Sequence, residues 1–167
     1  VNRERPHVLI LPEDAANRDI ANGFALDVDH ERALQVLPVQ RGWTNVRDAL
    51  RQTFVPELRR YRCAHLVALI DFDSRPDRCM LFTDELALPA DIAERVFIAG
   101  ALTEVEDLRR SLVSRRLISP NTLEGIGEAL AEECRTGGSL VWGDELLTHN
   151  AVEVARMRTA LRPILFN

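Results

Sequence analysis

The sequence predicts an α/β fold: a mostly parallel four-stranded sheet flanked by helices, with a helical carboxyl-terminal extension. Four short apolar runs alternate with segments of helical periodicity, the pattern of βαβ units. The third run, Leu66-Val67-Ala68-Leu69-Ile70, is apolar throughout, as in a strand buried on both faces of a sheet. Acids follow three of the four runs, at the ends where an open parallel sheet places its ligands.

Taken in order, His7-Val8-Leu9-Ile10-Leu11 is the first strand. Pro12, Glu13 and Asp14 read as the first turn of a helix that stops at Asn22-Gly23. Ala33 to Val39 is the second strand; Arg41-Gly42-Trp43 turns the chain. Thr44 caps a helix over 45–61 whose apolar face is Val46, Leu50, Phe54 and Leu58, and Pro56 should break or kink it. The third strand begins at His65 and ends in Asp71-Phe72-Asp73. Residues 74–93, rich in Pro and Asp, read as irregular. Arg95 to Leu102 is the fourth strand, and Thr103-Glu104-Val105-Glu106 has the pattern of a capping box opening a helix to about Leu112. Pro120 to Arg135 is amphipathic and ends at Gly137-Gly138; a last helix covers about 144–161, closed by Pro163. No repeat or linker divides the 167 residues, so one domain is expected, with its core over 7–110 and the helical extension over 111–167.

All 21 basic residues are arginine. The absence of lysine excludes a P-loop lysine, a Schiff-base lysine and a lysine general base. A net charge of −5 argues against a free-standing nucleic-acid binder, whose affinity comes largely from neutralising phosphates. Cys63, Cys79 and Cys134 form no CxxC pair and no zinc spacing, so reduced thiols are expected. No apolar run reaches the ~20 residues of a membrane span, and the amino terminus lacks a signal-peptide layout. A cytoplasmic location without membrane contact is the resulting expectation.

Asp71 and Asp73 stand two apart, and on an extended backbone such side chains point the same way. Two carboxylates this close repel unless a cation neutralises them, and Mg²⁺ or Mn²⁺ is the natural occupant. If the sheet is parallel, Glu13 and Glu104 lie on the same rim, and the set could hold one or two divalent ions for in-line attack at phosphorus. The competing reading is that Glu13 and Glu104 only complement helix dipoles. Arg109-Arg110 is the arginine pair nearest this rim and the candidate phosphate contact; Trp43, beside the second strand's carboxyl end, could touch a ligand. His65 and His149 are isolated, and Gly125-Ile126-Gly127 lies inside a helix, so it is not a phosphate loop.

An apolar strand ending in Glu, two further helices and a strand, then a strand ending in Asp-x-Asp, resembles the Toprim domain of topoisomerases, primases and overcoming-lysogenisation-defect nucleases. The resemblance covers about residues 7 to 110 and rests on Glu13, Asp71 and Asp73. Asp14 and Ser74-Arg75-Pro76 stand where topoisomerases and primases commonly carry glycine, which makes the chain more similar to small bacterial Toprim-like proteins of unknown function. The resemblance implies that Glu13, Asp71 and Asp73 are catalytic, that they bind Mg²⁺ (or Mn²⁺), and that the activity is phosphodiester chemistry on nucleic acid. With so acidic a chain, a partner protein is expected to supply the basic surface, and an oligomer is possible. The alternatives are a non-catalytic Toprim-like interaction or regulatory module and a small-substrate phosphatase. A dehalogenase-type phosphatase would carry Asp-x-Asp on its first strand with Thr or Val two residues on, where Arg75 stands here; a receiver domain would need a lysine. Tyr61 is the single tyrosine, with no separate domain to carry a nucleophile, which excludes strand passage by this chain alone.

Overall fold

The computed structural model describes residues 2–167. Strands β1 (His7–Pro12), β2 (Leu34–Val36), β3 (Ala64–Leu69) and β4 (Val96–Ala99) form one sheet in the order β2-β1-β3-β4. Every pairing is parallel, as expected; Ile10 lies opposite Val36 on one side and Val67 on the other. Successive side chains alternate between two covered faces, which is why the strands are apolar at nearly every position, His7, Gln35 and His65 excepted. Leu9, Leu11, Leu66, Ala68 and Ile98 face one core; Val8, Ile10, Val67 and Phe97 face the other. Each such leucine or valine contributes about 1.5–3 kcal/mol by leaving water.

The first core is closed by α2 (Trp43–Ala49), α3 (Val55–Arg60), α4 (Arg78–Leu86) and α5 (Ala90–Ala93), through Val46, Leu58, Phe82 and Ile92. The second is closed by α1 (Ala15–Leu26), α7 (Leu123–Thr136) and α8 (Ala151–Leu165), through Ala21, Ala131, Met157 and Leu161. Helix α6 (Val105–Ser114) packs Leu108 and Leu112 against Ile20 of α1 and Ile126 of α7. Residues 111–167 therefore supply two of the helices that bury the sheet. The Gly125-Ile126-Gly127 segment is indeed helical and serves packing: a Cβ on Gly127 would stand 2.0 Å from the Ile20 carbonyl oxygen.

Several local expectations are corrected by particular contacts. Pro12 ends β1, and Asp14 is the true cap of α1, accepting from the Asn17 N–H; the helix runs through Gly23, which abuts the Glu124 backbone. Thr44 lies inside α2, whose cap is Gly42 at φ 123°. Pro56 does not break the second helix. The turn before it, Leu50–Phe54, is π-wound, with the Val55 N–H reaching the Leu50 carbonyl, and the wider turn accommodates the proline ring. Residues 74–93 are irregular only over 74–77 and 87–89; the rest is helical, because Phe82, Leu86 and Ile92 give α4 and α5 an anchor in the core. The cap of α6 is Glu104 with no side-chain bond, so the Thr103 capping box does not form. Pro163 lies within α8; the carbonyl it leaves unbonded belongs to Thr159, which is exposed to water.

β4 is an edge strand, and its outer edge is covered by side chains. The Ile98 N–H donates to Glu153 Oε2 at 3.2 Å, the Gly100 N–H to Asn150 Oδ1 at 3.3 Å, and the Leu102 N–H to the Leu146 carbonyl at 2.9 Å. The Asn150 amide donates back to the Gly100 carbonyl at 2.8 Å, so one buried side chain imitates a neighbouring strand.

Candidate functional site

β1 is followed in the chain by its neighbour on one side and β3 is its neighbour on the other, so the crevice between β1 and β3 is where the strand order reverses. In open α/β sheets, ligands enter at that point, at the carboxyl ends. Glu13 leaves β1 there and Asp71 leaves β3 there. The Glu13 N–H donates to the Leu69 carbonyl at 2.8 Å, which continues the β1–β3 ladder by one step. β3 likewise stays paired beyond its end: the Ile70 N–H reaches the Ala99 carbonyl, and the Phe72 N–H reaches the Ala101 carbonyl, both at 3.0 Å. Asp71 is held by that extended backbone.

Its three polar groups meet three elements. The N–H donates to Glu13 Oε2 at 2.9 Å, the carboxylate Oδ1 accepts from Asn17 Nδ2 of α1 at 3.2 Å, and the carbonyl accepts from Arg78 Nη1 of α4 at 2.8 Å. Among the described residues no cationic side chain forms an ion pair with the Glu13 or Asp71 carboxylate. Burial is the main cause that pushes the Asp71 carboxyl up to about 7; the Asn17 amide opposes it, and Asp14, Glu13 and Glu104 add to it by repulsion. Burial also pushes Glu13 up, against the Asp71 and Trp43 backbone N–H groups, with Asp14 and Asp73 repelling. The buried carboxylate of Asp144 behaves in the opposite way. Burial pushes it up too, but Ser111, the Leu146 N–H and Arg115 outweigh that and leave it below the ordinary range. Asp144 is a satisfied structural acid, whereas Asp71 is an under-neutralised one.

Asp73 does not join Asp71 on one side. Asp73 and Ser74 take φ values of 46° and 60°, so the chain leaves the extended conformation and the same-side argument fails there. The Asp73 carboxylate instead pairs with Arg78 at 2.6 Å. Glu104 is exposed and acts on Asp71 by its charge. Among the described residues no group of three acids, histidines or cysteines is placed to hold one metal ion. The pair that remains, Glu13 and Asp71, still fits Mg²⁺, which is commonly held by one or two carboxylates plus waters and substrate phosphate.

The arginines are also redistributed. Arg109 is bonded to Glu106 and Asn121, and Arg110 to Asp107, along the exposed face of α6. Trp43 is half-buried against Phe82, with the Arg47 and Arg78 guanidinium carbons each 5.6 Å from its ring centroid. It packs arginines at the rim, and its backbone N–H lies close enough to Glu13 to oppose the upward push of burial on that carboxyl. Asn17 and Arg78 were not singled out by the sequence reading. Arg78 opens a helix that the sequence did not reveal; once that helix is seen, a cation in its first turn sits against the dipole and needs a partner.

Comparisons with protein-family models, with curated proteins and with solved structures find no match.

Proposed function

We propose that the rim between β1 and β3 is a Toprim-like, Mg²⁺- or Mn²⁺-dependent site for phosphodiester chemistry on nucleic acid, of nuclease type, working beside a partner protein. The observation that carries this is the Glu13–Asp71 pair: two carboxylates from adjacent strands, at the topological switch, under-neutralised and bonded through one peptide N–H. A divalent ion held there would polarise a phosphoryl oxygen and activate water. Asn17 keeps Asp71 oriented, and the Asp71 N–H does the same for Glu13. The net charge of −5 is the reason for assigning the nucleic-acid surface to a partner.

Two observations favour a second reading, the non-catalytic interaction module: Asp73 is spent on Arg78, and among the described residues three ligands are not gathered. Calorimetric titration with Mn²⁺ decides between the two. Binding to the wild type that is lost in Asp71→Asn supports the metal site; no binding to the wild type leaves the module. Incubation with single- and double-stranded DNA and RNA plus Mn²⁺ should give little cleavage by the chain alone. Efficient cleavage would remove the need for a partner.

A further inference from the structure

Arg78 is the cation most firmly built into the rim. Its side chain is only 12 % exposed, and Nη1 makes both of its polar contacts, to the Asp71 carbonyl at 2.8 Å and to Asp73 Oδ2 at 2.6 Å. Trp43 flanks its guanidinium. Among the described residues the Nε–Nη2 edge, the edge that grips two oxygens at once, makes no hydrogen bond within the protein. Its partner is very different. Asp73 is 61 % exposed and sits on left-handed backbone at the start of a polar loop.

The geometry points to Arg78 as the contact for a substrate phosphate oxygen, with the Asp73 carboxylate occupying that place until a phosphate displaces it. This rests on the reading of the rim as a phosphate-processing site. To a guanidinium, a carboxylate and a phosphate offer the same acceptor, but phosphate brings more charge and a third oxygen. An ion pair with one exposed member is weak, so the exchange is easy. Of the other cations near Trp43 and α6, Arg47 is tied to Asp48 and Glu85, Arg109 to Glu106 and Arg110 to Asp107. Arg41, whose N–H donates to the Glu13 carbonyl, is exposed and not built into the rim by any side-chain contact among the described residues. Arg78 is also the arginine that touches Asp71 directly, so an anion held there lies beside the Glu13–Asp71 pair.

The exchange has a second effect. Asp73 diverges from Asp71 on the backbone, but its charge already reaches Glu13, so its exposed carboxylate, once released, is free to swing towards Glu13 and contribute to a cation at the rim. Anion and metal should then bind cooperatively, and by linkage each must tighten the other by the same factor. Glu13 and Asp71 alone hold the ion weakly, and arrival of substrate completes the set.

Two titrations of the full chain test this, with inorganic phosphate in chelator and with Mg²⁺ in the presence and absence of millimolar phosphate. Asp73→Asn, an exposed substitution that leaves the fold intact, should bind phosphate about tenfold more tightly than wild type, because the competing carboxylate is gone. Arg78→Met should lose phosphate binding and bind Mg²⁺ as tightly without phosphate as the wild type does with it. Phosphate should tighten Mg²⁺ binding to the wild type about five- to tenfold, and leave Arg78→Met unaffected. Phosphate binding that Asp73→Asn does not strengthen, or coupling that survives in Arg78→Met, overturns the inference while leaving the metal site standing. Phosphate binding that depends on Arg78 together with no Mg²⁺ binding in any variant overturns the metal site and leaves Arg78 as an anion contact.

Discussion

The Glu13 carboxylate accepts the backbone N–H of Asp71 at 2.9 Å, so the ends of two neighbouring parallel strands are tied by a side chain that is itself a candidate ligand. Structure and chemistry can be separated there. Glu13→Ala leaves a half-buried N–H unpaired and should destabilise the fold by about 1–2 kcal/mol. Glu13→Gln keeps an acceptor oxygen and removes repulsion from Asp14 and Asp73, so it should be neutral or slightly stabilising. Both should lose metal binding. Denaturant melts in chelator and calorimetry check the pair; equal destabilisation by both would show that the charge itself holds the strands.

Asp71 makes stability depend on pH. Its carboxyl is pushed up to about 7 from 3.8, so between those values the folded state keeps a proton that the unfolded state has released. Its contribution is full below about pH 4, declines as pH rises towards 7, and is lost above that. Burial lowers His65 and His149, and their contributions run the other way, growing as pH rises towards 6.5. The difference between Asp71→Asn and wild type isolates the carboxyl. In chelator the variant should gain on the wild type from pH 4 to 7, by about 1–2 kcal/mol once solvent screening of a half-buried group is allowed for. A constant difference would refute the under-neutralised site.

Asp73 should respond differently from Asp71. Asp73→Asn removes an ion pair with one exposed member, so the apo protein should change by no more than about 1 kcal/mol, in the destabilising direction. Asp71→Asn should stabilise. Opposite signs in chemical denaturation check the divergence of the two side chains after Phe72; stabilisation by both would mean that they repel each other as a same-side pair.

The α1–α7 crossing is the least forgiving contact. In Gly127→Ala the new Cβ would fall 2.0 Å from the Ile20 carbonyl oxygen and 2.4 Å from the Phe24 nitrogen, backbone atoms that cannot rotate away. The helices must separate, at a cost of about 3 kcal/mol or more. Thermal melts should show the loss, and α1 should carry it to Asn17 and so to Asp71. A melting temperature equal to the wild type's would mean that the helices part freely.

The sheet was legible because Leu9, Leu66, Val67 and Ile98 lie in unbroken apolar runs, and such runs have few alternatives to a doubly covered strand. Glu13 and Asp71 followed from the same pattern, since they mark where those runs stop. Asp73 did not, because nothing in Asp73-Ser74-Arg75-Pro76 signals two consecutive left-handed residues, although aspartate tolerates that region better than most. Helix α4 was hidden by a weak stripe, Phe82 and Leu86 alone being buried along it. Arg78 was hidden with it. Pro56 and Pro163 misled in the opposite sense: one sits after a π-turn, the other where the lost acceptor is already in water.

Growth of a fibre by edge-to-edge strand pairing requires two open edges on every copy. With Ile98, Gly100 and Leu102 already bonded to Glu153, Asn150 and Leu146, this sheet offers a newcomer only the three-residue margin at β2. Two copies meeting there would have nothing left to extend from, so association by that route ends at a pair. The stoichiometry of any such self-association is thus capped by Glu153, Asn150 and the Leu146 carbonyl on the far side of the sheet.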